Sequence, residues 1–413
     1  MRENASRAGD FGGTVVGARR ARKAKRGLDF SRPTGSEVKV PRSKCPMKWK
    51  TIFSAVVLLC SACAAGAQAK RKVILDQDAR GPATTDQQSM MMFLLSPNVD
   101  VLGITVVSGD MWRDEEVAHT LRMLEILGRT DVPVVPGAVY PLINREDMVE
   151  RWEKLYGKVN YKGAWNRKAT GDGIRGGYHG PFVVPHLVEG DPKTKPSEED
   201  AAHFIIRMVH RYPHEVTIYA AGPLTDIAQA ISIDPAVPDL AQELVVMGGS
   251  IAPEVPLNWG TENRREFNFW FDPEAVHMVY TAPWHKITDI TVDISVKTRM
   301  TKEMIAEIAK SKAPAAQYLA KYADVEYMWD ELAAAAWLDP SVITKEEQVY
   351  MDMDYSHGPG YGNTLAWEPG SQPGLGEQLV NVPVDLDLAK FNQMFIDLMT
   401  RPTPGAHPAA GTN

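Results

Sequence analysis

From Val73 onward, short apolar runs alternate with longer amphipathic stretches. Residues 73–75 (Val-Ile-Leu) predict a strand, 87–95 a helix and 99–107 (Val-Asp-Val-Leu-Gly-Ile-Thr-Val-Val) a second strand. Residues 115–127 carry apolar side chains at Val117, Leu121, Leu124 and Leu127, the spacing of one helix face, and 132–135 predict a short strand. After a break the rhythm resumes: helix 200–210, strand 215–220, helix 224–231 opened by Gly222-Pro223, strand 244–247 ending in Gly248-Gly249, helix 273–280 and strand 286–292. Such alternation predicts an α/β fold: a Rossmann-like, mostly parallel sheet with helices on both faces.

Between the two series, residues 141–198 are rich in Gly, Trp, Tyr, Lys and Pro and show no steady period. They read either as a long excursion near the site or as a surface insertion. The domain is expected to span 70–400, followed by a Pro/Gly/Ala-rich flexible tail at 401–413.

The start of the chain is different. Residues 1–46 carry the run Arg-Arg-Ala-Arg-Lys-Ala-Lys-Arg at 19–26 among Gly, Ser and Pro, which predicts a disordered basic extension, placed upstream of the true start if Met47 is that start. Residues 47–69 have a basic opening, an apolar core at 52–63 and the ending Ala67-Gln68-Ala69, the layout of a secretory signal peptide. The expected product is exported, periplasmic or secreted, with no stable membrane span; lipid attachment at Cys63 is the weaker alternative. The only cysteines, Cys45, Cys60 and Cys63, precede that cleavage point, so thiol catalysis and thiolate metal sites drop out. A net charge of -7 argues against nucleic acid as a partner. No Walker loop, Gly-x-Ser-x-Gly or dinucleotide fingerprint follows a strand.

In a sheet of this kind, ligands bind beyond the carboxyl ends of the strands. Asp76-Gln77-Asp78 stands directly after the first strand, with Asp86 at the head of the next helix. Oxygen ligands without Cys or His favour Ca²⁺ or Mg²⁺ over zinc, although Asp is also simply common in turns. The other strand ends are Ser108-Gly109-Asp110, Ala221-Gly222-Pro223 and Met247-Gly248-Gly249. Further along come Glu266-Phe267-Asn268, Asp272-Pro273-Glu274-Ala275, and Trp329-Asp330-Glu331-Leu332-Ala333, which opens a helix ending near Leu338-Asp339-Pro340.

In this order the motifs resemble the inosine-uridine-preferring nucleoside hydrolase family, from about Lys72 to Pro340 and on toward Leu398. The resemblance implies a Ca²⁺ held by the carboxylates of Asp78, Asp86 and Asp330 and the backbone carbonyl of Ala221, with Asp76 supporting them from behind. It implies that Asp78 is the base that deprotonates the attacking water, that Glu266 and Asn268 hold the 5′ side of the ribose, and that Met247 lies against the sugar, though Met247 also reads as a core methionine. The partner is then a small nucleoside or ribosyl compound, and a homo-oligomer is expected as well, since family members are often dimers or tetramers. The chemistry is coherent: cleavage of an N-glycosidic bond passes through an oxocarbenium-like sugar and needs activated water and help for the leaving base.

Three positions depart from the family pattern. Seven residues (Ala79-Arg80-Gly81-Pro82-Ala83-Thr84-Thr85) separate Asp78 from Asp86, and Thr85 stands where the first of two paired aspartates is expected. Asp110 stands where an asparagine that bonds the sugar is common. Trp329 stands where many members carry a histidine acid; indole has no proton to give near neutral pH, so another group donates to the leaving base, or Trp329 stacks on the base, or the base leaves without protonation from this position. Tyr327, Tyr178 and His179 are then the candidate donors to the leaving group. These departures keep two other readings open: a noncatalytic or altered-specificity metal-dependent sugar-binding protein, and a hydrolase of a different glycoside whose pocket is shaped by residues 141–198.

Overall fold

The computed structural model describes residues 69–171, 174, 176–251 and 265–405. The expected basic extension, nearly all of the expected signal peptide with its cysteines, and residues 406–413 of the expected tail lie outside the described residues.

In chain order, β1 (Arg71–Gln77), α1 (Thr85–Leu95), β2 (Val99–Val106), α2 (Arg113–Leu127) and β3 (Val134–Pro136) form the first series. Helix α3 (Glu146–Tyr156) follows, then α4 (Ala201–Arg211), β4 (Val216–Ala221), α5 (Thr225–Ile233), α6 (Val237–Leu240), β5 (Glu243–Met247), α7 (Phe267–Phe271), α8 (Pro273–Tyr280) and β6 (Ile287–Ile290). The last part holds α9 (Val292–Ser295), α10 (Lys302–Ile308), α11 (Pro314–Tyr322), α12 (Trp329–Leu338), β7 (Ile343–Met353), β8 (Thr364–Trp367), β9 (Gln378–Leu386) and α13 (Leu388–Thr400).

The strands make one sheet in the order β3-β2-β1-β4-β5-β6-β9-β7-β8. All pairings from β3 to β9 are parallel; β7 pairs antiparallel with both β9 and β8. β1 lies between β2 and β4, so the winding reverses there and a crevice opens beyond the carboxyl ends of β1 and β4.

Side chains alternate across a strand, so β1 feeds two cores. Val73 and Leu75 pack with α1, α2, α12 and α13 on one face, while Ile74 packs with α4, α5 and α8 on the other. Burial on both faces is why the strand reads as an unbroken apolar run. Every residue of α1 is buried, which follows from its position between the sheet and α12.

Two parts differ from the sequence reading. Residues 141–198 are not uniformly irregular: α3 seats Val149 and Glu153 in the protein, begins with Glu146 and Asp147 at its positive end, and stops at Gly157, φ +120°. Strands β7 to β9 escape an apolar-period reading because the first half of β7, through Lys345, Glu346 and Glu347, is exposed. Among the described residues, no helix is long and apolar enough to cross a membrane.

Candidate active site

The crevice beyond β1 and β4 holds a cavity of about 250 Å³ lined by Asp78, Asp86, Asp110, Ala221, Met247, Glu266, Asn268, Trp329 and Asp330, together with Arg80, Thr84, Thr85, Tyr161, Phe267, Val292 and Glu326. Asp78 follows β1 and sits between two glycines. A Cβ on Gly109 would collide with Asp78 Oδ2, and one on Gly222 would lie 2.7 Å from the Asp78 nitrogen. Only glycine allows the ends of β2 and β4 to approach this closely.

Asp86 and Asp330 occupy the first turns of α1 and α12, where a carboxylate meets the positive end of the helix. One oxygen of each acid is tied down. Asp78 Oδ2 accepts from the Asp110 N–H (2.9 Å), Asp86 Oδ2 from the Thr84 hydroxyl (2.7 Å) and Asp330 Oδ2 from the Gln77 amide (3.1 Å). Gln77 also donates to Ser89 Oγ (2.8 Å), linking β1 to both helices. Tyr219 fixes α12 by donating to the Asp330 carbonyl (2.9 Å).

The three acids are almost wholly buried. Burial pushes Asp78, Asp86 and Asp330 well above the usual carboxylate range, and the neighbouring acids Asp110, Asp86, Asp330 and Glu331 push further in the same direction. A divalent cation offsets such repulsion, and the donor set suits a hard one: three carboxylates plus a strand-end carbonyl at Ala221. Among the described residues, however, no group of three or more His, Cys, Asp or Glu side chains stands in an arrangement that could already hold a metal. The donors fit such an ion by their chemistry, as hard oxygen ligands.

Thr85, where the first of two paired aspartates was expected, is engaged. Its hydroxyl donates to Glu331 Oε2 (2.5 Å) and accepts from the Asp330 N–H (3.2 Å). The acid absent from position 85 thus has a counterpart one residue beyond Asp330.

On the opposite wall, Glu266 caps α7. Its carboxylate accepts from the N–H groups of Gly249 (2.9 Å), Asn268 (3.0 Å) and Phe269 (3.1 Å). Burial nevertheless pushes it up to about 7. Asn268 Nδ2 donates to the Met247 carbonyl (3.1 Å), and Met247 is both buried and at the cavity surface.

Asp76 stands apart. It points to the other face of β1, accepts from Thr105 Oγ1 (2.6 Å) and faces Asp226, which burial pushes up to about 7. Strand alternation explains this: Gln77, not Asp76, faces the acids, and it is Gln77 that supports Asp330. Tyr178 and His179 line a separate depression, with His179 bonded to Glu115 (2.7 Å). The Tyr327 ring lies 4.9 Å from that of Trp329, which itself lines the cavity.

Arg80 and Tyr161 line the cavity without having been picked out by motif. Tyr161 comes from the irregular stretch, anchored where the Ala164 N–H donates to the Gly109 carbonyl (2.9 Å). The length of the loop after Asp78 was the one signal that could have pointed to Arg80.

The profile of the family described as inosine-uridine preferring nucleoside hydrolase matches residues 73–393. The chain belongs to that family. Among similar proteins, "Probable uridine nucleosidase 2" of Arabidopsis thaliana is 30% identical over 66% of this chain and 76% of its own length. "Pyrimidine-specific ribonucleoside hydrolase RihB" of Escherichia coli is 26% identical over 77% of this chain and 94% of its own. A solved structure of the purine-preferring ribonucleoside hydrolase from Gardnerella vaginalis has a TM-score of 0.63 at 23% identity, covering 80% of this chain and 98% of that one, a likeness of fold. As a nucleoside hydrolase, the chain is an enzyme of N-glycosyl bond hydrolysis, and the expectation of a noncatalytic binding protein gives way to it.

Proposed function

We propose that this nucleoside hydrolase cleaves ribonucleosides to ribose and free base in a calcium-dependent reaction, with Asp78 as general base, and that it does so outside the cytoplasm, as the layout of residues 47–69 suggests. The observation that carries the reading is the meeting of Asp78, Asp86, Asp330 and the Ala221 strand end in one cavity with Glu266 and Asn268. Calcium held by that set would supply a Lewis acid and an anchor for two vicinal hydroxyls.

The chain's own groups divide the rest of the work. Glu266 and Asn268 orient the hydroxymethyl side of the ribose. Asp78, held by the Asp110 N–H, receives a proton from water as the water oxygen bonds to C1′. The C1′–N bond breaks with its electron pair passing to the base, and the buried acids around the sugar favour the positive charge that develops on the ring.

The test uses the purified chain and Asp78→Ala with a panel of nucleosides, with and without calcium, measuring free ribose and calcium binding by calorimetry. Calcium-stimulated ribose release that disappears in Asp78→Ala is expected. Release that survives Asp78→Ala overturns the assignment of the base, and release indifferent to calcium and chelators overturns the metal.

A further inference from the structure

We propose that Arg80, braced by Tyr161, binds the departing base: its guanidinium donates to a carbonyl oxygen beside the glycosidic nitrogen, which makes pyrimidine ribosides such as uridine the preferred substrates. This rests on the hydrolase reading above and adds the group that handles the leaving base.

The argument starts from what the cavity lacks. Trp329 has no proton to release near neutral pH, and no histidine is among the described residues that line the cavity. A leaving base here is therefore better served by stabilising its negative charge than by protonating it first. Arg80 is the only cation among those lining residues.

Its donors are undercommitted. One guanidinium nitrogen lies 3.5 Å from the Tyr161 hydroxyl and 3.9 Å from Asp110 Oδ2, both long for such contacts, and Nε is buried with no acceptor among the described residues. A guanidinium carries five N–H donors, so most of this group's capacity is unspent. A planar carbonyl entering the cavity would give those donors an acceptor.

Tyr161 orients the pair. Its hydroxyl donates to Asp110 Oδ1 (2.8 Å), so the lone pairs of the phenol oxygen face Arg80 rather than the proton. Its ring meets Phe267 edge-on at 4.9 Å, next to the Glu266 and Asn268 wall that takes the ribose. Arg80 is thereby set close to the sugar.

The electron count closes. As C1′–N1 breaks, the pair left on N1 of a pyrimidine spreads onto the adjacent carbonyl oxygen, where the guanidinium meets it. The base leaves as an anion and takes a proton from solvent; Asp78 returns the proton it took from water.

The experiment compares uridine, inosine and 4-nitrophenyl β-D-ribofuranoside, whose phenolate leaves without help, in the wild-type chain, Arg80→Met, Arg80→Lys and Tyr161→Phe. Loss of one preorganised donor typically costs about 100- to 1,000-fold. Arg80→Met should lose about that much kcat/KM on uridine and less than about 10-fold on the nitrophenyl riboside, with Arg80→Lys in between. Tyr161→Phe, which keeps the ring, should show the same bias with a smaller loss, and wild type should prefer uridine to inosine. Equal losses on both ribosides, or a wild-type preference for inosine, overturn the proposal while leaving the hydrolase reading intact. Failure of the wild-type chain to cleave any of the three removes the hydrolase reading, and this proposal with it.

Discussion

Placing an aspartate at position 85, which would restore the paired acids of the family pattern, should weaken this protein. Thr85 Oγ1 lies 2.5 Å from Glu331 Oε2, and both residues are buried. A carboxylate in place of the hydroxyl exchanges a hydrogen bond for a like-charge contact. Two unit charges about 4 Å apart repel by about 4 kcal/mol at an effective dielectric near 20; that is the ceiling, because burial pushes Glu331 well above the usual carboxylate range and one acid of the pair can keep its proton. The Asp330 N–H still finds an acceptor in the new side chain, so the loss is nearly all Coulombic. For the roughly 320 described residues, unfolding entropies of about 2.1 cal/mol/K per residue turn that ceiling of ~4 kcal/mol into a melting point lower by up to about 6 °C. The assay is a thermal melt at pH 7 in chelator, so that no cation masks the repulsion, on Thr85→Asp, Glu331→Gln and the double variant. The double variant should recover most of the loss, because the amide introduced by Glu331→Gln can donate to the new carboxylate at position 85. A Thr85→Asp protein that melts at or above the wild-type temperature in chelator would refute the idea that Glu331 fills the place of the missing acid.

Other expectations follow from the same geometry. Gly109→Ala drives a methyl into Asp78 Oδ2 and should cut kcat/KM for nucleosides by about 100-fold, the scale of loss from a small misplacement of a reacting group, while the melting point moves by only a few degrees. Glu266 titrates near 7, raised from 4.5 mainly by burial, so the folded state holds its proton more tightly. Its contribution to stability is complete below about pH 4.5 and is lost as pH rises through about 7; Glu266→Gln should flatten that part of the stability curve. If the ionised form holds the ribose, kcat/KM rises between about pH 6 and 8 in wild type and not in Glu266→Gln. Phe93, buried against Tyr219 and Trp337, should cost about 3–5 kcal/mol when changed to Ala, measured by chemical denaturation.

The parallel part of the sheet was legible because β1, β2, β4 and β5 are buried on both faces and show it as apolar runs. β7 was not, because its first half is exposed and is held by backbone pairing with β9. In the cavity, the acids of the strand and helix ends could be read from motifs, since turn geometry and helix termini leave a local signature. Asp76 was read as a neighbour of those acids when strand alternation turns it away, and the glutamine between the two aspartates is the residue that reaches Asp330. Tyr161 had no signature and Arg80 only the unusual length of its loop: the two meet across 81 positions of sequence through a loop and an irregular stretch whose paths only the folded chain defines.

The two halves of the cavity are built from different material. Asp86 and Asp330 ride on α1 and α12, two helices buried against each other in the core, so the acids can shift only if the core shifts. Arg80 and Tyr161 ride on segments outside helices and strands. With Arg80 and Tyr161 taking the base as proposed, substitutions at those two positions would rework that side while the acids on the two helices stay fixed. On that reading a lineage built this way exchanges one nucleobase for another by changes at a few loop positions. An engineer seeking a new aglycone should randomise Arg80 and Tyr161 before touching either helix or the neighbours Thr84, which holds Asp86, and Gly163, which abuts Gly109.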